Sequence, residues 1–446
     1  MRITVGKEIV VAQGPAYEDS YWGEFQFPQI FKTTDNEFAI RTHCARDQWE
    51  DYGKGKELWC ISKDGGRTWG EIDKEDVEGK IGTMLPNGDR IYFPARPAIV
   101  LKEGEFKDAI NAFQRIPSDV IERQKDGSMP YPVYSFKDVG GTDMQIYDFE
   151  TLPDKYREKN WKIMRIRKGD TEAMEETVPL EFPNMSAASM VMKDKTGKRT
   201  FAMNRPMPYC SVKVDPDGNV WVVSYTHHHL NPYTKGVDRH SAVILFKSTD
   251  NAHSFKLHSY IPYRPDTFKH PTSYFGGGFS EADIEFMDDG SIIVIMRTAC
   301  IEFGGPEWNP MYIVRSTDGG KTFSEPEEFS NFGVLPHLCK LKCGVTLLSY
   351  GRPGIFIRAT KDPAGEKWDE EIEIMTPNDR SGLMNNPPKR PNLHEWNGSC
   401  CNVFLEVIDD NHALLAYSDF FYPDVSGKTK KKYKTILTRI ITVEND

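Results

Sequence analysis

His43 lies in Arg41-Thr-His-Cys-Ala-Arg-Asp47, which sets an imidazole close to a guanidinium at Arg46 and a carboxylate at Asp47. An imidazole titrates near neutral pH and suits proton transfer, whereas a guanidinium suits an anionic ligand. Glu281 and Arg297 stand at the two ends of Glu281-Ala-Asp-Ile-Glu-Phe-Met-Asp-Asp-Gly-Ser-Ile-Ile-Val-Ile-Met-Arg297, an apolar strand, a turn and a second strand. Gln26, Tyr209, His227, His337 and Arg352 fall at comparable places, where strands begin or have just ended. Two chemistries are open to such a set. β-Elimination next to a carboxylate needs cations for that carboxylate, a base for the neighbouring proton and an acid for the leaving oxygen. Arg46, Arg297 and Arg352 are the candidate cations, and His43 the candidate acid or base. Hydrolysis of a glycosidic bond needs two carboxylates flanking it, for which Glu281 with Asp47 or Asp283 would serve.

Metal and cofactor chemistry have weaker signatures. The run Thr226-His-His-His-Leu-Asn-Pro-Tyr-Thr-Lys-Gly-Val-Asp-Arg-His240 is rich in imidazole, but consecutive residues of an extended strand point to opposite faces and cannot all ligate one ion. It reads as a polar loop, with His227 the member taken to touch substrate. No glycine-rich phosphate loop or dinucleotide fingerprint is present, so no cofactor and no metal are expected. Trp49, Tyr52, Tyr209 and Tyr225 lie near the proposed rim and are candidate sugar-stacking platforms, although packing between sheets consumes many aromatics.

The elements that must hold these residues recur along the chain. Three octapeptides follow β-rich runs: Ser62-Lys-Asp-Gly-Gly-Arg-Thr-Trp69, Ser248-Thr-Asp-Asn-Ala-His-Ser-Phe255 and Ser316-Thr-Asp-Gly-Gly-Lys-Thr-Phe323. A worn fourth copy spans Thr360 to Trp368. Each has the parts of a tight hairpin, namely an aspartate to bond the turn, small residues for positive φ and a closing aromatic. A second repeat, strand, Asp/Gly turn, strand, runs from Phe25 to Arg41, Cys210 to Ser224, Ala282 to Arg297, Leu335 to Tyr350 and Cys401 to Tyr417, with a weaker copy from Gly82 to Phe93.

The octapeptides resemble the Asp-box, or BNR, repeat of sialidases and related propellers. That resemblance implies an all-β, sialidase-like β-propeller of six or seven four-stranded blades, with function around the axis where the inner strands begin. The whole chain, residues 1–446, is read as one propeller domain, with an irregular blade and long loops over about 107–200. Strand-like stretches at both ends, Ile3-Thr-Val and Lys434 to Val443, are expected to share a blade and close the ring.

The sialidase machinery matches only in part. Glu281 and Arg297 are similar in placement to a sialidase glutamate partner and carboxylate-binding arginine. The Phe-Arg-Ile-Pro signature, however, is Phe25-Gln-Phe-Pro28 here, and where a tyrosine nucleophile would stand the chain reads Asn397-Gly-Ser-Cys-Cys-Asn402. A neutral amide does not replace a bidentate guanidinium. Asp47 or Asp51 remains for the acid/base place. The stretch from Ile9 to Asp19, then Phe27-Pro28, His43 and Tyr52-Gly-Lys54, is similar to the α-L-rhamnosyl-(1,4)-glucuronate lyases, first described as rhamnosidases. This resemblance implies release of rhamnose capping glucuronate through a histidine; a hydrolytic exo-glycosidase and a non-catalytic binding propeller are the alternatives.

Composition sets the remaining bounds. A formal net charge of −10 argues against nucleic acid or an anionic membrane as partner, and the resemblances above imply an oligosaccharide or glycan substrate, anionic by the arginine argument. Eight cysteines in 446 residues, with Cys400 and Cys401 adjacent, form no disulfide framework and no zinc-ribbon pairing. No apolar run is long enough to span a membrane and the first residues lack a signal-peptide core, so the expectation is a cytoplasmic protein, or a secreted or periplasmic one if a leader was removed.

Overall fold

The computed structural model describes residues 1–47, 55–94, 99–101, 134–137, 143–148, 160–182, 186–193, 199–204, 211–226, 240–264, 278–298, 310–352, 354–375 and 398–444. Among them, six antiparallel units of four strands follow one another along the chain and form the blades of a β-propeller. Blade I is Glu24–Lys32, Phe38–Cys44, Glu57–Ser62 and Gly70–Glu71; blade II is Thr83–Met84, Arg90–Tyr92, Asn160–Ile166 and Met174–Glu181. Blade III is Ser211–Val214, Val220–Thr226, Ala242–Ser248 and Phe255–Ile261, and blade IV Phe279–Phe286, Ile292–Thr298, Met311–Ser316 and Glu327–Ser330. Blade V is Val334–Lys340, Thr346–Gly351, Ile355–Thr360 and Ile372–Met375. Blade VI is Phe404–Val407, His412–Pro423, Lys432–Glu444 and, from the other end of the chain, Arg2–Val5.

The pairing of Arg2 with Glu444 through Val5 with Ile441 joins the two ends in one sheet, and Ile9–Ala16 pairs with the same long strand. An edge that would otherwise lie open is thereby covered. The stretch read as a single irregular blade divides between two sheets. Asn160–Ile166 and Met174–Glu181 complete blade II, whereas Tyr134–Lys137, Asp143–Asp148, Ser186–Lys193, Arg199–Asn204 and Ile99–Leu101 form a separate five-stranded sheet. Blades II and III merge through a short parallel pairing, Leu180 with Phe255 and Glu181 with Lys256.

The alternation of the strands explains the closure. Each blade offers an apolar face to both neighbours, and the cores lie between blades rather than within them. Ala39 and Trp59 meet Val77, Ile81 and Tyr92 between blades I and II. Trp161, Val178, Val222 and Phe246 fill the next gap, Trp221, Leu245, Ile284 and Val294 the third, and Ile293, Ile295, Leu338 and Leu348 the fourth. Leu347, Ile357, Leu405 and Leu415 lie between blades V and VI, and Ile30, Ile40, Leu414 and Ile436 return to blade I. Full burial of one such side chain stabilises by about 1.5–3 kcal/mol, so every blade depends on both neighbours.

Side-chain bonds repeat the same circuit on the innermost strands. Arg90 donates to the Lys32 and Thr33 carbonyls at 3.0 and 2.9 Å, and Thr83 Oγ1 to the Val212 carbonyl at 3.1 Å. Lys213 reaches Asp283 at 3.1 Å, the Leu338 amide donates to Asp283 at 2.7 Å, and Lys32 donates to the Ile408 carbonyl at 2.9 Å.

The octapeptides form the expected hairpins. Ser62 Oγ donates to Asp64 at 2.8 Å and accepts the Gly66 amide at 2.8 Å, while Asp64 accepts the amides of Arg67 and Thr68 and the Thr68 hydroxyl. Ser248 with Asp250, and Ser316 with Asp318, repeat the arrangement. Gly320 has φ +79°, and a Cβ there would stand 2.8 Å from the Trp221 ring, so this turn packs directly on the preceding blade. In the second copy Asn251 and Ala252 hold positive φ without glycine, and their carbonyls accept the buried Arg165 at 3.1 Å each.

Candidate functional site

The inner hairpins of blades I, IV and V break register near the first residues of their first strands. The shifts fall between Glu24 and Gln29, between Phe279 and Ala282 and between Val334 and His337; blade VI has its own between Asp419 and Tyr422. Bulges of this kind re-aim side chains and cluster next to active sites. Outside the octapeptides, every non-glycine residue with positive φ among the described residues lies here: Phe25, Phe27, Leu335, Arg352 and Cys401. Each such conformation costs of order 1–3 kcal/mol, and its concentration at one end of the ring makes that end the candidate site.

Glu281 opens the first strand of blade IV and Arg297 closes the second, so the hairpin brings them together. Arg297 Nη1 donates to Glu281 Oε2 at 2.9 Å, and the Leu335 amide donates to the same oxygen at 3.0 Å. Burial would raise the Glu281 carboxyl, but Arg297 and then Arg352 outweigh it and hold it below the ordinary carboxylate range. Arg352, just past the second strand of blade V, donates from Nη2 to the Cys400 carbonyl at 2.8 Å. Burial and then Arg297 push its guanidinium below the ordinary value, with Glu281 pulling the other way. The trio therefore holds two cations against one carboxylate.

Blade I supplies the second half of the site. Gln26 and His43 are opposite each other in register, with His43 also opposite Glu57. Gln26 is wholly buried; its Oε1 accepts the Gly23 amide at 3.1 Å, and its Nε2 has no hydrogen-bond partner. His43 Nε2 is likewise buried and without a partner, and its ring stands 6.0 Å from Phe27. Asp47 Oδ2 accepts the Trp22 indole N–H at 3.1 Å. Gly23 has φ +92°, and a Cβ there would stand 2.2 Å from the Asp47 amide nitrogen, so glycine alone lets this turn close on the His43 strand.

Trp22 connects the halves. Its ring packs edge-on to Phe27 at 6.2 Å, and the Arg352 guanidinium lies 5.8 Å over it. His43, Gln26, Asp47, Glu281, Arg297 and Arg352 thus gather at one end of the ring.

Three predicted residues, His337, Arg46 and Asp283, stand apart from this group. His337 lies beyond the bulge that follows Val334, deeper between blades V and VI, 4.1 Å from the Phe404 ring, with Nδ1 accepting the Leu405 amide at 3.4 Å. Burial pushes its imidazole down to about 4, Asp283 opposing and Lys213 adding. Arg46 stacks 4.0 Å over the exposed Tyr21 ring and lines a cleft of about 400 Å³ with Glu24, Cys44 and Lys56. Asp283, the alternative carboxylate for hydrolysis, is buried and engaged by Lys213 and the Leu338 and Ile284 amides. Tyr209, His227 and Asp51 lie outside the described residues.

Sequence reasoning passed over Trp22, the Leu335 amide and the Cys400 carbonyl, none of which carries a repeat signal. Among the described residues no group of three or more histidine, cysteine or acidic side chains is arranged to hold a metal ion, and no helix is long and apolar enough to cross a membrane.

No family model matches the chain, and no curated protein matches it. A solved protein of unknown function from Dyadobacter fermentans is similar over 99% of both chains, at 15% identity and a TM-score of 0.52, a likeness of fold. A sialidase from Streptococcus pneumoniae is similar at 12% identity and a TM-score of 0.45, covering 98% of this chain and 70% of that one. An α-L-arabinofuranosidase from Fusarium graminearum is similar at 12% identity and a TM-score of 0.45 over 98% of each chain.

Proposed function

We propose that this protein is a carbohydrate-active enzyme that cleaves a terminal sugar from a uronic acid by β-elimination, with α-L-rhamnosyl-(1,4)-glucuronate as substrate. The observation that carries the reading is the pair of guanidiniums, Arg297 and Arg352, brought together beside the Glu281 carboxylate at the same end of the ring as His43. Two guanidiniums brought close together, one of them pushed below its ordinary value by burial and by the other, suit an anionic ligand, and the carboxylate of a uronic acid is one.

The chemistry follows from that placement. Neutralising the uronate carboxylate acidifies the C5 hydrogen, which His43 removes. The electron pair forms the C4–C5 double bond, the bond from C4 to the glycosidic oxygen breaks, and the proton ends on that oxygen. In a glucuronate the C5 hydrogen and the C4 oxygen lie on one side, so a single imidazole can take the proton and deliver it. Rhamnose and an unsaturated uronate are the products. Glu281 stays ionised and bound to Arg297, which makes it a holder of the cation and a poor proton donor. Gln26, beside His43, offers its unpartnered N–H₂ to substrate oxygens.

The test is a rhamnosyl-glucuronate disaccharide, with free rhamnose and ultraviolet absorbance of the unsaturated uronate followed together. Equal release of both supports the reading. Rhamnose without absorbance would replace it by hydrolysis, and tight binding without either product by a non-catalytic propeller.

A further inference from the structure

Lys434 is among the largest wholly buried side chains of the described residues, and it lies in the long strand Lys432–Glu444 that joins the two ends of the chain. Its ammonium makes no ion pair with any described carboxylate. It donates instead to the main-chain carbonyls of Tyr21 at 2.5 Å and Glu24 at 2.9 Å, and lies 4.9 Å over the Phe420 ring. A buried ammonium is costly without partners, and burial lowers this one to about 8 even with Cys400 and Glu24 favouring its charge. A methionine or leucine would fill the same space without that cost.

The two carbonyls identify what the charge is for. Tyr21 and Glu24 are the ends of the turn that carries Trp22 and Gly23, and the Glu24 amide closes it on the Tyr21 carbonyl at 3.2 Å. From this turn the Trp22 indole reaches Asp47, the Gly23 amide orients Gln26, the Trp22 carbonyl accepts the Asp47 amide at 3.1 Å, and the Trp22 ring underlies Arg352. The carbonyls are held from blade VI, while everything the turn orients belongs to blades I and V.

We infer that Lys434 is a positioning residue: its ammonium clamps the Tyr21–Glu24 turn to the ring-closing strand, so that closure of the propeller sets the geometry of His43, Gln26 and Arg352. The inference rests on the proposed function only for its effect on turnover; the clamp itself is read without substrate.

The experiment compares wild type, Lys434→Met and Lys434→Gln by amide hydrogen exchange and by turnover of the rhamnosyl-glucuronate disaccharide. In Lys434→Met, exchange at Gly23, Glu24 and Asp47 should rise at least tenfold while the blade IV strand Ile292–Thr298 stays protected as in wild type. kcat should fall about tenfold or more, and KM should rise as well, because the turn orients Gln26 and also underlies Arg352 of the anion site. Lys434→Gln, whose amide can donate to both carbonyls, should recover most of the protection and of kcat. Unchanged exchange at the turn in Lys434→Met overturns the inference, as does a uniform loss of protection around the ring. Should Lys434→Met fail to fold, Lys434→Gln decides alone: near-wild-type protection supports the clamp, and failure of both variants overturns it. A wild-type protein inactive on the disaccharide, with the exchange pattern as expected, would remove the functional reading and leave the clamp standing.

Discussion

Gln26 and His43 stand opposite each other in the first hairpin of the ring, and each holds a buried Nε2 with no hydrogen-bond partner among the described residues. A buried polar group left unpaired costs about 1–3 kcal/mol, so two of them side by side favour a bound group that can pair with both. In the proposed function this pairing faces the Glu281, Arg297 and Arg352 trio of blades IV and V, and His43 is the residue assigned proton transfer.

His43→Ala should lower kcat on the disaccharide by about 10²–10⁴-fold, the range that a positioned proton-transfer group contributes. The thermal midpoint should change little, since Nε2 gives up no bond in the free protein. Turnover within a factor of about three of wild type would remove His43 from the mechanism.

Arg297→Lys and Arg352→Lys should both raise KM by about tenfold or more, because an ammonium cannot reproduce a planar two-point contact with a carboxylate. Arg297→Met should in addition destabilise the fold by about 3 kcal/mol, because Glu281 would keep a buried charge with its nearest cation gone. Urea unfolding reads the stability, and initial rates read KM.

His337 gives a signature in pH. Its folded-state value of about 4 lies below the ordinary 6.5, so over that interval the unfolded chain takes up a proton that the folded protein refuses. The stability associated with this group is complete above about pH 6.5 and falls as the pH drops toward 4, by about 2–3 kcal/mol in all. His337→Gln should therefore gain on wild type by about that amount between pH 7 and pH 4 in urea midpoints. Parallel pH curves for the two proteins would show that the imidazole does not resist protonation.

Ser62→Ala serves as the control on the scaffold. The hydroxyl bonds Asp64 and the Gly66 amide in a wholly local hairpin, so its loss should cost about 1–2 kcal/mol and leave kcat and KM as they were. A change in kcat would show that the octapeptide turns reach the site.

The octapeptides, the strand repeats and the joining of the chain ends were legible because each rests on local pattern: a serine, an aspartate and small residues close a hairpin wherever they occur. The Glu281 and Arg297 pair was legible for the same reason, being the two ends of one hairpin. The surroundings of His337 were not legible, because the register shift after Val334 and the contacts with Phe404 and the Leu405 amide of the next blade leave no mark in an alternating pattern. Trp22 and Lys434 were missed for a different reason. One belongs to a turn and the other to the polar face of a terminal strand, and their importance comes from contacts between blades more than 300 residues apart in the chain.

Elimination at a uronate has a direct readout. Wild-type protein incubated with α-L-rhamnosyl-(1,4)-glucuronate should release rhamnose and raise the ultraviolet absorbance of the 4,5-unsaturated uronate in equal molar amounts. Rhamnose released with no rise in absorbance would contradict it.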